Sequence, residues 1–278
     1  MTVQPDTSMS TTTDAGPRPS EPLAPGSRPH VLLSIVMPAY NEEQAVSAVV
    51  AEVLAAVPGA SCLVVSDGST DATAERATDA GAIVLQLPFN LGVGGAMRAG
   101  FRYAVEHGFR YVVQVDADGQ HNPRDVPTLV DALSEVDIVI GARFAGEGEY
   151  KASGPRAWAM KLLAFTMSRI ARTRLTDTTS GFRGAGPRAV ELFAAHYPSE
   201  YLGDTVESLV LALRAGATVR QVPVAMRERA GGVPSQNAFR STVYLMRALV
   251  ALVISLTARP YPLTSKDAPV PSRTEATR

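Results

Sequence analysis

The stretch Asp116-Ala117-Asp118-Gly119-Gln120 holds the residue types best suited to chemistry in this chain. It follows Tyr111-Val112-Val113-Gln114-Val115, a run with the composition of a buried strand. Two carboxylates spaced i, i+2 at the exposed end of such a strand can converge on one hard divalent cation. The Gln120 amide oxygen, two residues on, can supply a further ligand. All-oxygen donors suit Mg²⁺ or Mn²⁺, which usually also hold substrate phosphates. The ligand expected here is therefore a diphosphate. The competing reading is a turn cap with no ligand, and a short motif alone does not decide between the two.

The elements that must position these residues alternate between strand and helix signals. That alternation argues for an α/β sandwich around a mostly parallel sheet. Residues 32–37 form a continuous apolar strand. Val46, Val49, Val50, Val53, Leu54 and Val57 then recur at helical spacing, and Pro58-Gly59 stops the helix. Residues 62–65 are a second strand, followed by a helix that Ser69 or Thr70 can cap and Gly81 ends. Strands at 83–87, 111–115 and 137–140 follow, with a helix through Ala99, Phe101 and Val105 ending near Gly108. Beyond Gly141 the pattern loosens into helices at 158–171, 189–195 and 206–215. A strand at 219–224 and a last helix at 239–256 complete the reading.

Other polar clusters sit where these strands end, which is where ligands bind in open α/β sheets. Pro38-Ala39-Tyr40-Asn41-Glu42 follows the first strand. Tyr40 can stack on a base and Glu42 can accept from a base or ribose, or the segment is a plain turn with Asn41 as cap. Ser66-Asp67-Gly68-Ser69-Thr70-Asp71 follows the second. Asp67 is placed to accept from a nucleobase N–H, and Gly68 permits close approach. Asn90-Leu91-Gly92-Val93-Gly94-Gly95-Ala96 opens a helix whose N-terminus can approach an anion. It is neither a dinucleotide fingerprint, which would need glycine at Met97, nor a Walker loop, which would need Gly-Lys-Ser/Thr.

Composition narrows the classes. With 46% apolar and 19% charged residues, the 278-residue chain can bury the core of one large domain, or one and a half. A net charge of −1 gives no reason to expect nucleic acid as a partner. The single cysteine, Cys62, falls in an apolar run, which excludes a disulfide framework and favours a reducing compartment. Residues 1–29 are rich in Thr, Ser, Pro and Gly without an apolar core, so they read as a disordered tail rather than a signal peptide. Residues 261–278 read likewise. A single α/β domain is expected over 30–235, and a C-terminal amphipathic helix over 236–260. The longest uncharged apolar run near the C-terminus, 248–258, is well short of the ~20 residues that span a bilayer.

Taken in order, Pro38-Ala39-Tyr40-Asn41-Glu42, Asp67-Gly68-Ser69-Thr70-Asp71, Asn90-x-Gly92-x-Gly94-Gly95-Ala96 and Asp116-x-Asp118-x-Gln120 resemble the family 2 glycosyltransferases, which have a GT-A-type, Rossmann-like nucleotide-sugar fold. The resemblance is fullest over residues 32–143. It continues through Gly141-Ala142-Arg143-Phe144, Asp177-Thr178-Thr179-Ser180-Gly181-Phe182-Arg183 and Val222-Pro223-Val224 to Arg229. These later motifs are similar to the branch containing dolichyl-phosphate mannose synthases and other polyprenyl-phosphate sugar transferases. The resemblance implies that Pro38, Tyr40, Glu42, Asp67 and Gly92 hold the nucleotide sugar. Asp116, Asp118 and Gln120 would hold Mg²⁺ or Mn²⁺ and the diphosphate. Asp177, Ser180 and Arg183 would lie beside sugar and acceptor, with Arg143 or Arg183 clamping phosphate and Arg227 and Arg229 on the acceptor side. Two departures stand out: Ser66 where many members have a second Asp, and Gln221 where Glu usually precedes Val-Pro.

The implied reaction is an inverting transfer of hexose from a nucleotide diphosphate sugar, UDP-glucose or GDP-mannose foremost, to a polyprenyl phosphate. An alcohol acceptor would instead require a general base, for which Asp177, Asp204 and Glu207 are candidates. A silent nucleotide-sugar-binding module is the third reading, and a complete metal set argues against it. Arg227, Arg229, Arg240 and Arg247 near Tyr244 and the 245–256 run suit an anionic bilayer surface. So do Met160, Leu162, Leu163 and Phe165 among Arg156, Lys161, Arg169, Arg172 and Arg174. Packing on a small membrane protein partner is the alternative for both. The expected location is the cytoplasmic face of a membrane.

Overall fold

A computed structural model describes residues 32–142, 155–198, 204–227 and 261–263. The tail at 1–29, the helix expected at 239–256, Arg143 and Arg229 lie outside them, as do the side chains of residues 155–160 and 204.

Strands β1 (Leu33–Ala39), β2 (Ser61–Asp67), β3 (Ile83–Leu87), β4 (Tyr111–Gln114), β5 (Ile138–Ala142), β6 (Arg183–Ala185) and β7 (Val219–Pro223) form one sheet in the order β3-β2-β1-β4-β6-β5-β7. All pairings are parallel except those of β6, which runs antiparallel to both β4 and β5. Helices α1 (Val46–Ala56), α2 (Thr73–Asp79), α3 (Gly92–Glu106), α4 (Val126–Ala132), α5 (Pro155–Ala171), α6 (Pro187–His196) and α7 (Asp204–Arg214) cover the two faces.

The central strands are mostly apolar because both faces are covered. On β1, Leu33, Ile35 and Met37 enter the core shared with α1 and α4, while Val36 enters the opposite one with α3, α6 and α7. Helix α1 buries Val46, Val49, Val50 and Val53, the apolar stripe its spacing predicts. Helix α3 buries Gly94, Gly95 and Gly100. A Cβ at Gly100 would stand 2.4 Å from Val36 Cγ1, so this glycine sets how closely α3 lies on β1.

Three features differ from the sequence reading. The short antiparallel β6 and the seven-residue α4 carried no periodic signal long enough to read. Ser69 and Thr70 do not cap α2, which starts at Thr73. The N-cap is Ala72, and Asp71 just before it accepts at Oδ1 from Thr73 N at 3.0 Å. Toward the C-terminus, Tyr261 stacks on His196 of α6 at 3.9 Å and Leu263 packs against the core.

Gly100→Ala tests the packing of α3. Alanine is favoured over glycine in a helix interior by about 1 kcal/mol. The contact with a β-branched side chain on a central strand opposes this, and overpacking costs roughly 1–3 kcal/mol. The variant is expected to unfold at lower urea concentration than wild type.

Candidate active site

The ends of β1, β2 and β4 are neighbours in the sheet, so the segments carrying Tyr40, Asp67 and Asp116 share one edge. At β1, Tyr40 is half exposed and Asn41 adopts φ 54°. Asn41 N donates to Ser69 Oγ at 3.2 Å, and Thr70 N donates to Asn41 Oδ1 at 2.9 Å. Glu42 N donates to Thr73 Oγ1 at 2.9 Å. Asn41, Ser69 and Thr70 therefore knit the β1 and β2 loops together rather than capping their own helices. Pro38 lies in β1 opposite Val65 of β2.

Asp67 is buried, and its Oδ1 accepts from Leu91 N at 2.7 Å. The carboxylate thus sits at the start of α3, where a negative charge meets the positive end of the helix. Burial raises its pKa, and the backbone N–H groups of Leu91 and Gly92 offset part of that rise. Gly68 follows with φ 69°, and a Cβ there would lie 2.5 Å from Asn90 N and 2.6 Å from the Phe89 carbonyl carbon. Gly68 thus permits a close approach of the Phe89-Asn90 backbone.

The Asp116 loop is held from several sides. Asp116 N donates to His121 Nδ1 at 3.0 Å, leaving the ring proton on Nε2, which lies 3.5 Å from Asp116 Oδ2. Gln114 Nε2 donates to Asp116 Oδ1 at 3.0 Å. His121 is buried and stacks on Phe182 with centroids 4.8 Å apart. Gln120 N donates to Asp118 Oδ1 at 3.0 Å, a turn that Gly119 completes at φ 77°.

The 176–182 loop lies directly against this one. A Cβ at Gly181 would meet Gln114 Nε2 at 3.0 Å and the Asp116 carboxylate oxygens at 3.2 and 3.5 Å. Gln221 braces the loop from β7: its Oε1 accepts from Thr176 N at 2.8 Å, and its Nε2 donates to the Asp177 carbonyl at 2.9 Å. A glutamate could accept the first bond but not donate the second, which accounts for glutamine at this position. Asp177 and Ser180 are both buried. Thr179 Oγ1 donates to Asp177 Oδ1 at 3.3 Å, and Phe182 N donates to Ser180 Oγ at 3.3 Å.

Two arginines expected at the ligand are bonded within the protein. Arg183 donates from Nε to the Ser180 carbonyl at 2.7 Å, from one terminal nitrogen to the Thr178 carbonyl at 2.6 Å, and from the other to the Thr205 carbonyl. It therefore ties the 178–180 turn to α7. Arg227 forms a two-pronged pair with Glu52 of α1, at 2.7 and 2.8 Å, and a third bond to Asn122 Oδ1. The sequence reading missed Gln114, His121, Glu52 and Asn122. Of these only Gln114 carries a visible signal, as a polar residue inside an apolar run.

Among the described residues no three His, Cys, Asp or Glu side chains gather around one point. A cation held here would take its third side-chain donor from the Gln120 amide. The donor set, two carboxylates and an amide oxygen, fits Mg²⁺ or Mn²⁺. The absence of a side chain at position 181 leaves room beside Asp116.

An α/β sheet whose polar loops gather at the carboxyl ends of β1, β2 and β4 defines a GT-A-like fold. Residues 34–192 match the model of glycosyl transferase family 2, and the chain belongs to that family and is a glycosyltransferase. It is 33% identical over 207 residues to an undecaprenyl-phosphate mannosyltransferase of Micrococcus luteus, covering 70% of this chain and 83% of that one. It is 29% identical over 219 residues to a polyprenol monophosphomannose synthase of Mycolicibacterium smegmatis, covering 76% and 83%. Among solved structures, glucosyl-3-phosphoglycerate synthase from Mycobacterium tuberculosis, in complex with Mn²⁺, UDP and phosphoglyceric acid, shares the fold. Its TM-score is 0.61 at 23% identity, over 82% of this chain and 79% of that one.

The raised Asp67 pKa has a signed consequence. The folded state binds this proton more tightly than the unfolded state does. The group's contribution to stability is therefore fullest below its unfolded value, about pH 4, and is lost as pH rises through the folded value. Asp67→Asn keeps an acceptor for Leu91 N–H and removes the titration. Its urea midpoint relative to wild type is expected to climb from about pH 4 upward and then level off. A difference that is flat or declines with pH would contradict the assignment.

Proposed function

We propose that this chain transfers a hexose, with inversion, from a nucleotide diphosphate sugar to a polyprenyl phosphate at the cytoplasmic face of a membrane. The observation that carries the reading is the contact at Gly181, where the loop bearing Asp177 and Ser180 meets the Asp116 carboxylate. A donor diphosphate at Asp116 and an acceptor at the 177–182 loop would then be neighbours. The relatives named above, both of which act on polyprenyl-type lipids by name, support the acceptor class.

Asp116, Asp118 and Gln120 would hold Mg²⁺ or Mn²⁺, which neutralises charge building on the leaving diphosphate. Tyr40, Glu42 and Asp67, at the ends of β1 and β2, would hold the nucleoside. An acceptor phosphate oxygen forms the new bond to the anomeric carbon as the bond from that carbon to the diphosphate breaks. A phosphate monoester has a second pKa of about 6 and is mostly dianionic near neutrality, so no proton need be removed. Asp177 and Ser180 shape the acceptor loop in this reading. Their side chains are buried and bonded within the 177–182 segment.

The exposed face of α5 supports a membrane location. Phe165 and Leu162 are 66% and 38% exposed; Lys161 and Arg169, one helical turn either side of Phe165, are exposed too, as are Arg172 and Arg174 just past the helix end. Exposed apolar groups with cations nearby in the sequence suit an anionic lipid surface. Among the described residues no helix is long and apolar enough to cross a membrane.

The test is a transfer assay with Mn²⁺ or Mg²⁺ and membranes containing polyprenyl phosphate, run separately with radiolabelled UDP-glucose and GDP-mannose. Label is expected in the organic extract with one donor. EDTA should abolish it, and Asp118→Ala should reduce it by at least about 10²-fold, the scale on which removing electrostatic stabilisation of a leaving group acts. Metal-dependent release of nucleotide without labelled lipid would sink the lipid acceptor and redirect the search to soluble hydroxyl acceptors.

A further inference from the structure

We propose that Arg227 is a positioning residue for the metal-binding loop, anchored on Glu52 of helix α1. The inference rests on the metal assignment of Asp116, Asp118 and Gln120 given above and adds residues outside that set.

Arg227 touches the loop at two places. Its backbone N–H donates to the Gln120 carbonyl at 2.9 Å, next to an antiparallel bridge between Met226 and His121. Its guanidinium donates to Asn122 Oδ1, which also accepts from Arg124 N at 3.2 Å. The residues on both sides of His121 are thereby held by one side chain and its own backbone. Both terminal nitrogens of the guanidinium, including the one that bonds Asn122, donate to Glu52 in the two-bond arrangement that arginine forms with carboxylates. The bonds from Arg227 hold Glu52 below its ordinary carboxylate range, so it is ionised near neutrality.

Stability alone does not explain this pair. Both side chains are more than a third exposed, and such pairs contribute little to folding. Its position has a different value. Gln120 is the one neutral donor of the proposed set and has the least electrostatic pull toward a cation, so its placement depends most on the backbone around it. That backbone is what Arg227 holds. Outer partners of this kind typically change metal affinity by 10–100-fold when removed.

The experiment is Mn²⁺ titration of the full chain followed by electron paramagnetic resonance, with UDP present in one series and GDP in another. Thermal unfolding is recorded alongside. Glu52→Gln is expected to weaken Mn²⁺ binding roughly tenfold with little change in unfolding temperature. Arg227→Gln should do the same, and the double variant should be no weaker than Arg227→Gln alone. Glu52→Asp should recover part of the loss. If Glu52→Gln does not fold, Arg227→Lys, which keeps the charge and loses the fork, must show the weakening. Unchanged Mn²⁺ affinity in a folded variant overturns the positioning role while leaving the metal site intact. Wild type that binds no Mn²⁺ with either nucleotide overturns the metal site and this inference together.

Discussion

Crowding of negative charge at the end of β4 is the constraint around which the site is arranged. Asp116 and Asp118 stand two residues apart at a strand end, and Asp116 must be held without a full positive charge from the protein. The structure answers with neutral donors. A glutamine amide and a neutral imidazole contact the Asp116 carboxylate, and the Gln120 backbone N–H donates to Asp118 Oδ1. Arginines nearby are engaged elsewhere, Arg183 with backbone carbonyls and Arg227 with Glu52. A full cationic partner on Asp116 would compete with a bound cation for the same oxygens, whereas neutral donors orient them and leave their charge in place.

The strand reversal makes this possible. Because β6 runs opposite to β4, with Arg183 beside Gln114, the residues that precede β6 fall at the carboxyl end of β4. A parallel strand in the same slot would have put that loop on the far side of the sheet. The single reversal therefore delivers Gly181 to Asp116 and Phe182 beneath His121. Gln221, from β7 two strands beyond, then fixes the height of the loop by bonding in both directions.

The first half of the fold was legible because its physics is local. β1 to β4 are apolar runs bounded by turn residues, and α1 shows a clean stripe. β6 is Arg183-Gly184-Ala185, with no apolar run of its own, and exists because two neighbouring strands supply its bonds. Helix α4 is too short for a helical period to register. At the site, the residue types that can bind a cation were readable from their spacing. Their supports were not, since His121, Gly181 and Glu52 gain their roles only from the non-local contacts that the sheet order creates. The same limit explains Arg183 and Arg227, whose charge was visible in the sequence and whose partners were not.

The sheet order also dictates when during synthesis a working site can exist. Strand β5 has only β6 and β7 as neighbours, so it cannot join the sheet until residues 183–185 have been made. The bonds from Met226 and Arg227 to the Asp116 loop arrive later still. Chains emerge from the ribosome N-terminus first. An early subdomain of β3, β2, β1 and β4 can therefore assemble with its β4 edge open, and with the Asp116 loop lacking its brace. The Asp116 loop therefore gains its brace only when nearly all of the described chain has been translated.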